Sequence, residues 1–297
     1  MSGPTAARFA DGRLHLQHGP IDLLIAADAQ SADQVEQAYA VAIARFSNIL
    51  ATLVAELPAL KSPVGEAYPV FRGPVARRMA TAVWPYRAVY ITPMAAVAGS
   101  VADEVLAAMV HGAKLQRAYV NNGGDIALHL APGEEYSVGI VARLDRPVLD
   151  ALGRIEAGDP VRGIATSGWR GRSFSLGIAD AVTILARDGA AADAAATIVA
   201  NAVNVEHAAI VRHPACALRD DTDLGALPVT VDVGALPPSC VREALERGAA
   251  QARALQQGGC VHAALLQLQG QSLAIEPSDT CIGWTANRRT YHEPATL

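Results

Sequence analysis

Apolar and polar positions alternate over Arg13-Leu14-His15-Leu16-Gln17, His18-Gly19-Pro20 interrupts them, and residues 21–26 return as a more continuous apolar run. This pattern predicts a hairpin whose second strand is the more buried. A helix is expected next. Ser31 with Gln34 three residues on forms a capping-box signature, and Val35, Tyr39, Ala42, Phe46, Ile49, Leu53 and Leu57 recur at helical spacing up to Pro58. Residues 58–74 contain Pro58, Pro63, Pro69 and Pro74 and read as a loop. A short helix carries Val75, Met79 and Val83. Residues 88–92 read as a buried strand ended by Pro93, and Val97, Val101, Val105 and Met109 mark a further helix stopped by Gly112.

Tyr119-Val120-Asn121 leads into Asn-Gly-Gly-Asp, and residues 126–130 leave it; this is the strongest turn signal in the chain. Strands are expected at 136–142, 173–178, 182–186, 209–211 and 228–233. A long Ala-rich helix spans 190 to about 206. Ser239 can cap a helix carrying Val241, Leu245, Ala252 and Leu255, ended by Gly258-Gly259. Residues 261–268 and 273–276 close the fold as a hairpin, and the tail from Ser278 is polar. Hairpins alternating with helices in both halves suggest an α+β fold, mainly antiparallel sheet with helices on one face. No repeat is clear in the sequence itself.

The chain has 297 residues, 51% of them hydrophobic but only 5% aromatic, so the core must be built from Ala, Val, Leu and Ile. The net charge is −5 and no long basic cluster occurs, which argues against nucleic acid as a partner. The first thirteen residues lack the apolar region of a signal peptide, and charged or polar residues interrupt the apolar runs, so neither a membrane partner nor a spanning helix is expected. Cys216, Cys240, Cys260 and Cys281 form no CxxC pair and read as free thiols in a reducing cytoplasm. Apolar helices and short strands allow a homodimer.

Four elements can carry chemistry. In the first, Asn121, Asn122, Gly123, Gly124 and Asp125 join two glycines that admit close backbone approach to polar side chains that donate and accept. Such a loop suits a nucleotide, flavin or sugar, and equally makes an ordinary hairpin turn. In the second, Asp193 and Thr197 share one helix face, with Asn201 one turn on. That stripe faces either water or a pocket, and a carboxylate with a hydroxyl can hold a hard cation such as Mg²⁺. Third, Ala165-Thr166-Ser167-Gly168-Trp169 precedes Arg170 and Arg172, a set able to receive phosphate oxygens or to form a strand end and a charged turn. Fourth, Gly99-Ser100 lies near a helix start, where backbone N–H groups attract anions and where small residues also serve packing. The eight histidines show no metal-ligand spacing, and neither GxGxxG nor GxxxxGK[ST] occurs. No residue is assigned a catalytic role.

Taken in order, Ala98-Gly99-Ser100-Val101-Ala102-Asp103, Val120-Asn121-Asn122-Gly123-Gly124-Asp125-Ile126, Ala165-Thr166-Ser167-Gly168 and Ala192-Asp193-Ala194-Ala195-Ala196-Thr197 resemble the motifs of the ApbE-like superfamily. Its best-known members are Mg²⁺-dependent FAD:protein FMN transferases. The resemblance implies two related β-β-α-α-β-β modules, about 1–130 and 131–277, followed by the tail 278–297. It implies FAD, FMN or a similar small-molecule ligand near the Gly-Gly-Asp loop, and Mg²⁺ held by Asp193, Thr197 and the backbone carbonyl of Val97. The chain departs from the transferases in two places. It has Ala98-Gly99 where they carry Lys-Gly, and Ser175-Leu176-Gly177-Ile178-Ala179-Asp180-Ala181-Val182-Thr183 where they carry a His and an Asp-Pro-x-Thr-Gly segment. Covalent flavinylation of a partner Ser or Thr, a flavin-using reductase subunit and a non-catalytic scaffold are the further readings the resemblance admits.

Overall fold

Residues 21–28 alternate fully buried with half-buried side chains, the signature of a strand packed firmly on one face and more lightly on the other. The whole fold elaborates that asymmetry. The computed structural model describes residues 3–140, 151–277 and 284–286. Its strands are β1 (Thr5–Arg8), β2 (Leu14–His18), β3 (Ile21–Asp28), β4 (Arg117–Asn122), β5 (Asp125–Leu130), β6 (Glu135–Ile140), β7 (Ala151–Glu156), β8 (Gly163–Ser167), β9 (Ala181–Ala186), β10 (Ile210–Pro214), β11 (Pro228–Val233), β12 (Ala263–Leu268), β13 (Gln271–Ile275) and β14 (Trp284–Ala286). Its helices are α1 (Ala32–Phe46), α2 (Ile49–Ala55), α3 (Leu57–Leu60), α4 (Pro74–Val83), α5 (Val97–Gly112), α6 (Gly189–Ala202), α7 (Ala215–Leu218) and α8 (Pro238–Gln257).

Nine strands form one antiparallel sheet in the order β1-β2-β3-β4-β5-β8-β9-β12-β13. The α+β reading therefore holds. In each half two strands precede the helices and two follow, as β2-β3 and β4-β5, then β8-β9 and β12-β13. Two apolar clusters lie under the helices. One joins β2–β5 to α1, α2, α4 and α5 through Leu23, Ile25, Phe46, Met79 and Met109; the other joins β8, β9 and β12 to α6 and α8 through Ile184, Val199, Leu245 and Leu266. A smaller cluster on the opposite face seats the β6–β7 hairpin through Tyr136, Val138 and Ile155. Helix α6 is buried nearly all round, which explains its run of alanines: small side chains let it lie close to strands and helices on every side.

The β5–β8 seam joining the halves is the shortest ladder in the sheet. It pairs only Ile126 with Ile164 and Ala127 with Gly163, whereas every other neighbouring pair has four to six registered positions.

Several expectations need correction. Residues 88–92 form no strand: Val89 and Tyr90 are exposed, and Tyr90 and Thr92 bond to Asp223 rather than to a neighbouring strand. Residues 173–178 also form no strand, because their backbone partners lie at the end of α6 and on β11: Leu176 N donates to Asn201, Ile178 N to the Val203 carbonyl, and Thr230 N to the Ser175 carbonyl. The capping box does not form. Gln34 instead accepts from Lys114 N at 2.7 Å. The first helical stripe breaks at Ser47 and Asn48, and helix resumes through Pro58, which sits in the first turn of α3 where a missing N–H costs nothing. The Ala-rich helix ends at Ala202. Strands β1 and β7 have no clear signal in the sequence, while the strand-end reading of residues 165–167 fits the end of β8. Part of the expected 136–142 strand, residues 141–142, lies outside the described residues, as does Cys281. Within the tail, β14 pairs with β7. Two helical stretches, Ala32–Ala55 and Pro93–Gly112, do reach the length and mean hydropathy of a membrane span, and both pack into the cluster under β2–β5.

Candidate functional site

The site is built where α5 and α6 cross at their N-termini. A Cβ added to Gly99 would lie 2.1 Å from the Gly189 carbonyl oxygen, so only glycine admits this backbone-to-backbone approach. The first N–H groups of any helix lack intrahelical partners, and burial would leave them costly to maintain. Here the helices satisfy one another. Asp193 on α6 accepts from Gly99 N at 3.0 Å. Asp103 on α5 accepts from Gly189 N at 2.9 Å and Ala190 N at 2.8 Å, while Asp188 caps α6 through Ala191 N at 2.7 Å. The anion that the α5 N-terminus attracts is thus a carboxylate of the same chain.

The β4–β5 hairpin brings the two-glycine bend to this crossing. Gly123 and Gly124 have φ of 66° and 118°, and Asn121 locks the bend by accepting from Gly124 N at 2.8 Å. Asn122 is 5% exposed and donates from Nδ2 to the Ala98 carbonyl at 3.1 Å. Asn122 and Asp193 therefore both hold the first turn of α5. Across the β5–β8 seam, Asp125 accepts from Thr166 N at 3.3 Å. The Thr166 hydroxyl bonds Thr183 at 2.8 Å; Ser167 ends β8 opposite Val182, and Gly168 packs against the Asp180 carbonyl.

The electrostatics follow from this crowding. Burial pushes the Asp193 carboxyl well up, the nearby Asp125 adds to the shift, and the Gly99 and Ala98 N–H groups oppose it. Burial also raises Asp125, while the Thr166 N–H and the Arg172 guanidinium pull it back. Asp103 is raised to about 6 by burial and then by Asp188, against the opposing bonds from Ala190 and Gly189.

The expected polar stripe on α6 divides. Asp193 belongs to the crossing, and Thr197 lies one turn along, half-buried. Asn201 accepts from Leu176 N at 2.9 Å, and Asn204 donates to the Leu176 carbonyl and accepts from Arg212, so these two residues anchor the loop before β9. Val97 opens α5 beside Gly99 and is half-buried; Ser100 is fully buried with an unpartnered hydroxyl. The reciprocal role of Asp103 was missed. Its signal was the shared spacing Gly99-x-x-x-Asp103 and Gly189-x-x-x-Asp193.

A cavity of about 340 Å³ opens on the other side of the crossing, lined in part by Arg77, Arg78, Asp103, Glu104, Arg187 and Asp188. Arg78 pairs there with Glu104 at 2.9 Å and Arg187 with Asp188 at 3.2 Å, and the two-glycine bend does not reach it. Among the described residues no three His, Cys, Asp or Glu side chains cluster as a metal site. Asp125, Asp193 and Thr197 nonetheless supply only oxygen donors, the set a hard cation takes when it keeps several waters.

A UPF0280 protein of the archaeon Methanothrix thermoacetophila is 36% identical over 170 residues, which are 56% of this chain and 68% of that relative. Among solved structures, the ApbE protein of Thermotoga maritima is 13% identical with a TM-score of 0.46, covering 93% of this chain and 97% of its own. The apo flavinyl transferase ApbE of Pseudomonas stutzeri is 13% identical with a TM-score of 0.42, covering 93% and 94%. The family model described as "AbpE bacteria" matches residues 6–274. The ordered motifs and this match agree: the chain belongs to the AbpE bacteria family, within the ApbE-like superfamily.

Proposed function

We propose that this protein binds a flavin, or a related phosphate-bearing cofactor, beside the two-glycine bend, with Mg²⁺ held by Asp193, Thr197 and the Val97 carbonyl. One observation carries the reading: the bend, the start of α5, the end of β8 and Asp193 converge through Asn122–Ala98, Asp125–Thr166 and Asp193–Gly99 hydrogen bonds. Asn121, Asn122, Gly123, Gly124, Asp125, Gly99, Ser100, Thr166, Ser167 and Gly168 then form the cofactor's surroundings. The donor set fits a hard cation. Two neighbouring carboxyls are both pushed up by burial, so a divalent charge would relieve their desolvation and let both ionise.

When bound, Mg²⁺ supplies charge neutralisation toward phosphate oxygens. The chain's own residues orient and enclose. Asn122 and Asp193 fix the first turn of α5, Asn121 fixes the bend, and the glycines leave backbone open to a flat ligand. Membership in the ApbE-like superfamily supports a flavin over other phosphate-bearing ligands. The basic residue and the imidazole that the transferases carry have no counterpart at the matching positions of this chain, which favours cofactor binding over flavin transfer.

The test is thermal unfolding with FAD, FMN and Mg²⁺, singly and together. A ligand at about 100 times its Kd adds roughly 2.7 kcal/mol of apparent stability, a clear rise in Tm. Mass spectrometry of natively purified protein should find the same ligand travelling with it. No rise with any flavin, with or without Mg²⁺, would remove the reading.

A further inference from the structure

Arg170 and Arg172 are two residues apart and equivalent by sequence, but their surroundings differ. Arg170 is committed. It pairs with Asp180 at 2.7 Å and its guanidinium lies 4.4 Å from the centre of the Trp169 ring. Asp180 is itself mostly buried and also accepts from Gln269 N at 2.6 Å, so the pair is part of the scaffold.

Arg172 sits on the exposed part of the loop joining β8 to β9. That loop is pinned on one side by Trp169 N to the Ala179 carbonyl and on the other by Leu176 N to Asn201. Its guanidinium lies across Gly123: a Cβ there would fall 2.0 Å from Nη2. Among the described residues it has no hydrogen-bond or ion-pair partner, although it is close enough to Asp125 to draw that carboxyl downward. A flexible, strongly charged side chain is thus held over the bend without being consumed there.

We infer that Arg172 is the anion-contacting residue of this site, a guanidinium laid over Gly123 that receives the phosphate of the bound cofactor. This rests on the phosphate-bearing ligand proposed above. The guanidinium adds positive charge at the exposed side of the bend, and its planar fork suits two phosphate oxygens at once. Gly123 has a second reason to be glycine besides its positive φ: any side chain would push the guanidinium off its seat.

The experiment compares FMN, riboflavin and inorganic pyrophosphate by calorimetric titration, in the presence of Mg²⁺, on the intact protein, Arg172→Met and Arg172→Lys. The expected result is an FMN affinity lowered about 10- to 100-fold in Arg172→Met, the range for losing a charge-assisted hydrogen bond. Riboflavin affinity stays the same, Arg172→Lys is intermediate, and Tm without ligand is unchanged. If the intact protein prefers FMN to riboflavin and Arg172→Met keeps that preference, the role of Arg172 is overturned while the flavin reading stands. If the intact protein binds pyrophosphate but neither flavin, the flavin reading falls; Arg172 keeps its role if Arg172→Met loses pyrophosphate and is refuted if it does not. Binding of none of the three overturns both. A fall in Tm for Arg172→Met would make the residue structural and overturn the inference.

Discussion

Asp103 and Asp193 are exchanged across the α5–α6 crossing. Each stands four residues beyond the glycine near its own helix start, and each accepts first-turn N–H groups of the other helix. The two helices therefore cap one another, and the arrangement needs both carboxylates together with Gly99.

Gly99→Ala should be among the most destabilising single-methyl changes available. The new Cβ would meet backbone, which cannot rotate away, so the helices must part. Overpacking of this kind costs about 3 kcal/mol at the upper end of the usual range. Gly124→Ala has nothing within 4 Å but keeps a φ of 118°, so it should cost only about 1–2 kcal/mol through strain. Urea unfolding of both variants checks the order. Equal losses would mean that the crossing yields more readily than its geometry indicates.

Asp103 gives the crossing a pH dependence. Its carboxyl is raised to about 6 in the fold from an ordinary 3.8, so the folded state holds its proton more tightly than the unfolded state does. The stability this contributes is fully present below pH 3.8 and is lost as pH rises through 6. Relative to Asp103→Asn, the intact protein should lose roughly 2–3 kcal/mol between pH 4 and 7. Unfolding curves of both proteins across that interval measure the difference. Parallel stability–pH profiles would show that Asp103 titrates normally.

The proximity of Asp125 and Asp193 is testable without any ligand. Asp125→Asn removes a neighbouring charge that raises Asp193, so the Asp193 carboxyl should titrate lower in the variant, although burial still holds it above the ordinary carboxylate range. Carboxyl-carbon NMR across a pH series reads this directly. An unmoved Asp193 would separate the bend from the α6 carboxylate, and the proposed site would lose its basis.

The two arginines after β8 should divide by stability. Arg170→Ala leaves the mostly buried Asp180 without its cation, a loss of about 1–2 kcal/mol once the exposure of Arg170 is discounted. Arg172→Ala, removing an exposed side chain that has no hydrogen-bond or ion-pair partner among the described residues, should stay within about 0.5 kcal/mol. Thermal unfolding in the absence of ligand compares them. A larger loss for Arg172 would reverse their assignments.

The hairpin at 13–26, the helices on Val75 and Val97, and the two-glycine bend were legible because each declares itself within a few neighbouring residues. The motif order was legible as well, and with it the superfamily. What the sequence withheld was chiefly non-local. Residues 173–178 alternate like a strand, but their backbone partners come from α6 and β11. Gln34 sits at capping-box spacing and is drawn instead to Lys114, eighty residues away. Asp193 stands out in the sequence as a polar residue on an apolar helix, while its match with Gly99, ninety-four residues earlier, depends on a crossing that the repeated Gly-x-x-x-Asp spacing hints at but only the fold brings together.

The short ladder between β5 and β8 has a mechanical meaning. The middle joint of the sheet has two registered ladder pairs, with longer zips on either side. Asp125 and Thr166 face one another across it from opposite strands, and Leu128 N donates to the Arg162 carbonyl at its other end, so side-chain and loop bonds supplement the two ladder pairs. The mutual capping of α5 and α6 spans the same seam, so the halves are joined by the helix crossing as much as by the sheet.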